Sequence, residues 1–571
     1  MSTPPNGPHN PPPPPGYGPQ QPGYGPPAPP QAPWGQQGQQ GQQGQQGQQG
    51  QQGWPVHPVQ DWGHQSYGQP GAQPGYGPQG YTQGYTPQGL VQQPTRGGST
   101  KRWVIGGVAG VVSLALLGGG AVFAYSAVGG SGPQPEEALP ASTIAFAKVD
   151  LDPSADQKVD AYRFARKFPS AKDKVPTDDA DLRKVVFDAI QDQGGLEGLS
   201  YDTDVEPWLG DRFGVAALPA DGDEPTGVVA LAVTDDDAAR DALGRATAAE
   251  GGYCSVGDDF AICGEDQGVV DKAVGDAKGE SLADADAFSE DMDELGEDGI
   301  ATAWVDQAKV AEYAGTFTTG AKGAPGAEGR AAMALRFDGP TLELVGRVSG
   351  LEGQQLPSDG TPSVADLPAD TRAAMGIAGL DEYISSTWPQ LEETLKPLVG
   401  EDSWQEGLDE VQQETGLSVP DDVATLVGDD TVVAVGGPSG DSDEPVVALR
   451  TNGDKGTMDT LLESAGGSSS DLPISRADGS DGRHVVATDD AYAQAVASGS
   501  GLGDSDAFRD AAPDADDAQV IGYVDISGLV ADYGDTMSDE ERANIEPLRA
   551  VGFTATGDGD TAEFRVRLTT S

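Results

Sequence analysis

Residues Trp103–Val128 run 26 positions without a charge or a proline, and no other stretch limits this chain so strongly. Twenty or so apolar residues are enough to cross a hydrocarbon core, so the sequence predicts a transmembrane helix over 102–128. Its glycines are better tolerated in lipid, where a helix must keep its own hydrogen bonds, than in water. Arg96, Lys101 and Arg102 precede the segment, while Glu136 and Glu137 follow it. Basic residues stay in the cytoplasm, which predicts a single-pass cell-membrane protein, N-terminus cytoplasmic and C-terminal region extracellular. A cleaved signal peptide competes, because Ala124-Tyr125-Ser126 places small residues two apart. Such peptides begin near the N-terminus, and this one would follow a tail of about 100 residues. Gly106 and Gly110 form a GxxxG pair, a match that so glycine-rich a segment meets by chance.

The tail before this segment has too little apolar mass to offset chain entropy. It holds QQG triplets from Gln36 to Gly53, the prolines 11–15 and three Gly-Tyr-Gly-Pro copies, so residues 1–101 are expected to be disordered. Its spaced aromatics suit docking or weak self-association, and equally a plain tether. The chain carries a net charge of −58. Arg96, Lys101 and Arg102 against Asp61 leave the first 135 residues at +2, so about −60 falls beyond them. That surface repels phosphate backbones, which excludes nucleic acid as a direct partner, and anionic lipid headgroups. It attracts cations, cationic peptides and basic proteins, and it equally serves as a solvated, aggregation-resistant coat.

Beyond residue 138 the sequence recurs. GLSYDTDVEPWLGDRFGVAAL (198–218) resembles GLSVPDDVATLVGDDTVVAVG (416–436), and LPAST at 139 resembles LPADT at 367. The block 281–315 resembles 501–535, and 332–349 resembles 551–569. The offset stays near 220, which reads as one duplication and not a solenoid. Strands joined by short turns predict antiparallel pairing, and interspersed amphipathic segments, among them Asp156–Phe168 and about 179–192, predict helices. The expected fold class is α+β: two tandem related repeats, each an antiparallel sheet with helices packed on one face. The expected domains are a tail (1–101), the membrane helix (102–128), a linker (129–138), an exported repeat (139–350), a linker (351–363) and a second repeat (364–571). Alternation in Glu563–Leu568 predicts one wet sheet face.

Few residues carry recognisable chemistry. Cys254 and Cys263 lie in YCSVGDDFAICG, a hairpin turning at Asp258-Asp259 that sets them directly opposite at a non-hydrogen-bonded pair, so a disulfide is expected in an oxidising compartment. Asp306 and Asp525 end the matching segments Trp304-Val305-Asp306 and Tyr523-Val524-Asp525. They are candidate polar positions, either facing one another across a cleft between the repeats or, in the simpler reading, each capping the helix that follows. Runs such as Asp235-Asp236-Asp237 lack the spacing of a calcium loop, leaving only nonspecific cation binding. Beyond the tail His484 is the only histidine, which removes His-based triads and His-ligated zinc, and no nucleophile elbow or Walker loop occurs in the chain. No cofactor or metal is expected.

The segment LPASTIAFAKVDLDPS (139–154), the Arg166-Lys167-Phe168-Pro169 turn and the duplicated DAF…VD block resemble an uncharacterised family of Gram-positive bacterial membrane proteins, whose exported region is a domain of unknown function. The resemblance covers about 136–571; it implies localisation and architecture and supplies no activity. The expected function is a membrane-anchored cell-envelope module that binds or supports, its groove between repeats contacting an envelope protein or a cationic ligand. An exported hydrolase using paired carboxylates, or a signalling link through the tail, are the alternatives.

Overall fold

The computed structural model describes most of residues 132–571. Residues 1–131 and the stretches 173–180, 192–198, 314–328, 351–359, 440–443 and 467–473, with some single positions and pairs, lie outside the description. The tail, the segment 102–128 and most of the helix expected at 179–192 therefore fall outside it.

Among the described residues sixteen strands form one sheet. In the first half of the chain they are β1 (Ala145–Asp150), β2 (Leu209–Leu218), β3 (Thr226–Val233), β4 (Tyr253–Val256), β5 (Phe260–Gly264), β6 (Ala301–Asp306), β7 (Arg330–Asp338) and β8 (Thr341–Ser349). In the second they are β9 (Thr371–Ala378), β10 (Asp430–Pro438), β11 (Pro445–Thr451), β12 (Ser475–Asp478), β13 (His484–Ala487), β14 (Val520–Asp525), β15 (Leu548–Asp558) and β16 (Thr561–Thr570). Every pairing is antiparallel, and β8 pairs with β16 from Leu342↔Leu568 to Ser349↔Thr561. Outward from that seam the order is β8-β7-β6-β1-β2-β3-β5-β4 on one side and β16-β15-β14-β9-β10-β11-β13-β12 on the other.

This corrects the expected fold. The two halves do not close separate sheets: the last strand of each would be an open edge, and pairing them satisfies both rows of backbone groups. The turns are as short as the sequence suggested. Gly339 takes a left-handed φ of 57° between β7 and β8, where a side chain would be strained. At the seam Phe564 lies over Gly346, whose missing side chain makes the room: a Cβ there would sit 2.2 Å from the ring.

Nor are helices confined to one face. Successive strand residues point to opposite faces, and in the first half both are covered. Ala216, Val228 and Ala230 pack with Val270 and Ala273 of α3 (Gln267–Ala277) and Phe288 of α4 (Asp286–Leu295). Phe213, Leu231 and Cys263 face the other way, against Ala239, Ala242 and Leu243 of α2 (Asp236–Glu250). Helix α1 (Ala155–Ala165) adds Ala161 and Phe164 against Phe337, with Leu342 and Leu568 beside them. In the second half one core gathers Val432, Ala434 and Ile521 with Val496 of α8 (Asp490–Ser498) and Phe508 of α9 (Asp506–Ala511).

Among the described residues no helix is long and apolar enough to cross a membrane. The span expected at 102–128 lies outside them, so the single-pass anchor, and the cell-envelope location built on it, have no structural support and are withdrawn.

Candidate functional site

Asp306 and Asp525 do not converge. Each caps a helix: Asp306 accepts from Lys309 N at 3.1 Å at the start of α5 (Gln307–Ala311), and Asp525 accepts from Gly528 N at 2.9 Å at the start of α10 (Ile526–Tyr533). Lys309 Nζ lies 2.8 Å from Asp306, and Arg372 Nη1 lies 3.3 Å from Asp525. Five strand spacings separate β6 from β14, about 24 Å at ~4.8 Å each. The two lie at opposite ends as well: Asp306 is level with Arg330 and Ser349, whereas Asp525 is level with Ala550 and Thr569. A shared carboxylate site is therefore excluded at these positions.

Cys254 and Cys263 are bonded to each other, opposite one another in the β4–β5 register, with Cα atoms 4.1 Å apart. Gly257 N donates to Phe260 O across the Asp258-Asp259 turn. The bond closes β4, an edge strand of the sheet. Serine at both positions is expected to lower stability by about 2–3 kcal/mol, the loop-closure value for so short a loop. The midpoint of chemical unfolding reads it, and reductant added to the native chain must reproduce the shift.

The strongest polar constellation lies on the seam, and sequence reasoning passed over its centre, Glu343. This carboxylate is 1% exposed. Its neighbours across the ladder are Arg336 on β7 and Arg567 on β16. Arg336 Nε donates to Oε1 at 2.9 Å, while Arg567 Nη1 and Arg565 Nη1 donate to Oε2 at 2.6 and 3.1 Å. Three guanidiniums around one carboxylate leave excess positive charge, offset by Asp338 at 2.8 Å from Arg567 and Asp514 at 2.9 Å from Arg565. The alternation expected to mark a wet face instead marks a charged, largely closed one. A signal was present: Arg336, Glu343, Arg565 and Arg567 alternate with apolar residues on three strands that become neighbours.

At the end of the seam nearest Ser349 the face opens into a cleft of about 280 Å³, lined by Glu290, Glu294, Arg330, Arg347, Asp560 and Thr561 among others. Both halves contribute, since Asp560 comes from the β15–β16 turn and Thr561 opens β16. Arg330 grips Asp291 through Nε at 2.7 Å and Nη2 at 3.0 Å, and this hydrogen bonding raises its pKa above the ordinary arginine value. Trp304 Nε1 donates to the same carboxylate at 2.7 Å. Glu290 lies 3.5 Å from Arg330, Glu294 lies 2.7 Å from Arg347, and Glu563 pairs with Arg347 from across the ladder. Both arginines are thus already matched by carboxylates, and Asp560 adds a further negative charge.

Elsewhere His484 Nδ1 lies 2.8 Å from Asp478 in the β12–β13 hairpin, and Asp235 caps α2 through Ala238 N. Among the described residues no group of three or more His, Cys, Asp or Glu is placed to hold a metal ion.

Residues 107–254 match the model of a family described as "Protein of unknown function (DUF3352)". The match ends within the β4–β5 hairpin and supports the resemblance to a domain of unknown function; Gram-positive origin and a membrane anchor are no part of it. The description supplies no activity and no catalytic residue. No curated protein and no solved structure matches the chain.

Proposed function

We propose that the protein is a binding module, not a catalyst, and that the cleft at the seam is its contact surface for a cationic group. The observation that carries this reading is the charge of the lining. Asp291 and Glu563 already engage Arg330 and Arg347, so Glu290, Glu294 and Asp560 leave the opening negative. An ammonium or guanidinium side chain is the chemical class that fits, being donor-rich and small enough for the cleft.

Calorimetric titration of the purified chain with triarginine tests the proposal. Binding is expected to weaken on raising the salt concentration, because the lining carboxylates are partly exposed. Asp560→Lys combined with Glu294→Lys is expected to weaken it by about tenfold or more, the effect of placing like charges against the ligand. Equal binding by this variant and the parent chain would remove the cleft from consideration.

A further inference from the structure

The helix after β9 differs from the helix after β1 in what it buries. Helix α1 buries Ala161, Phe164 and Ala165 against the sheet. Helix α6 (Leu380–Val399), in the corresponding place, has no buried residue, and neither has α7 (Glu401–Thr415), which follows it across Gly400. Both are nevertheless amphipathic. Ile384, Trp388, Leu391, Leu395 and Leu398 recur at intervals of three and four, as do Trp404, Leu408 and Val411. The rings of Trp388 and Trp404, 5.9 Å apart, join the two helices.

A stripe of this kind normally faces a core. Here Ile384, Trp388, Leu395, Trp404 and Leu408 are half-buried, whereas Leu391 is 44% exposed and Leu398 is 76% exposed. Of the nine exposed large apolar side chains among the described residues, Tyr383, Leu391, Leu398 and Val399 lie on α6 and Val411 on α7, a concentration on these two helices. The polar flanks of α6 and α7 are equally one-sided in charge. Residues 380–415 carry ten carboxylates and one cation, Lys396, a net of −9. That lysine is already held by Glu392 at 3.3 Å and Glu401 at 3.4 Å.

We propose that the α6–α7 hairpin is a docking surface for a cationic amphipathic helix of a partner protein. The occupant must present leucine-like side chains to the stripe and lysine or arginine to its carboxylate borders, the helix-in-groove mode of recognition. A second copy of the chain fits poorly, because it would bring another acidic hairpin against this one.

The test uses the full chain and a labelled synthetic 18-residue helical peptide with leucine on one face and lysine on the other, followed by fluorescence anisotropy. Saturable binding that weakens with salt is expected. In the variant Leu391→Glu/Leu398→Glu the affinity is expected to fall by about tenfold or more, as for loss of an apolar anchor. The added carboxylates would strengthen a purely electrostatic attraction, so a fall isolates the stripe. Both side chains are exposed, and an unchanged far-ultraviolet circular dichroism spectrum verifies that the variant folds. Undiminished peptide binding by the variant overturns the proposal. So does a dimer of the parent chain that Leu398→Glu abolishes, which would give the stripe to a second copy. Sedimentation with phosphatidylcholine–phosphatidylglycerol vesicles, lost in the same variant, would give it to lipid and overturn it as well.

Discussion

Glutamine in place of Glu343 is expected to destabilise the chain by about 3–5 kcal/mol, the range for removing one partner from a buried ion pair. The side chain keeps its shape, so the loss is electrostatic. With Glu343 neutral, Arg336, Arg565 and Arg567 lose the carboxylate they share while their own charges remain. The effect is concentrated where the halves join, since Glu343 sits on β8 and two of its partners sit on β16. Salt screens buried charge weakly, so the loss should persist at high ionic strength, unlike that of an exposed pair. A compensating variant separates charge from packing. Glu343→Leu with Arg336→Met and Arg567→Leu removes the central charges together, and exchange of a buried ionic group for well-packed apolar residues is often neutral or stabilising by about 1–4 kcal/mol. Denaturant midpoints of the three chains check the set. A glutamine variant within about 1 kcal/mol of the parent would mean that the cluster is solvated, as exposed ion pairs are.

The seam also shows where reading the sequence stops. The β4–β5 hairpin was legible because its information is local: two cysteines, a two-residue turn and alternation fix which residues oppose each other. The capping by Asp306 and Asp525 was legible for the same reason, each acid lying three residues before the backbone group it accepts from. Pairing of β8 with β16 joins residues more than 200 positions apart, such as Glu343 and Arg567, and no local pattern specifies it. Alternation in β16 correctly divided Phe564, Val566 and Leu568 from Glu563, Arg565 and Arg567. It could not say what the charged side would meet, and the face expected to be wet holds a buried carboxylate instead. The stripe on α6 marks a second limit: its amphipathic spacing is visible in the sequence, whereas burial depends on what the rest of the fold places against it.

Alanine in place of Trp304 is expected to cost about 3–5 kcal/mol, as for loss of a large aromatic side chain from a core. Trp304 is 3% exposed, and its ring meets Phe288 edge to face at 5.6 Å, while Phe288 meets Phe146 in the same manner at 5.7 Å. Truncation thus removes one end of a three-ring stack that ties β6 to α4 and β1. The indole has a second part to play, because Nε1 donates to Asp291, a carboxylate only 3% exposed that also receives Arg330. Trp304→Phe distinguishes the two contributions. It keeps an aromatic ring in the stack and removes the donor, and hydrogen bonds to charged groups contribute about 1.5–3 kcal/mol. The phenylalanine variant should therefore fall between the parent and the alanine variant. In the second half Phe508 meets Tyr523 edge to face at 5.3 Å, and Tyr523→Ala removes the corresponding aromatic contact. Its loss should approach that of Trp304→Ala. Unfolding midpoints of the three variants test this account, and a loss below about 1.5 kcal/mol for Trp304→Ala would show that the first core closes around the gap, contrary to the cost expected of a rigidly packed interior.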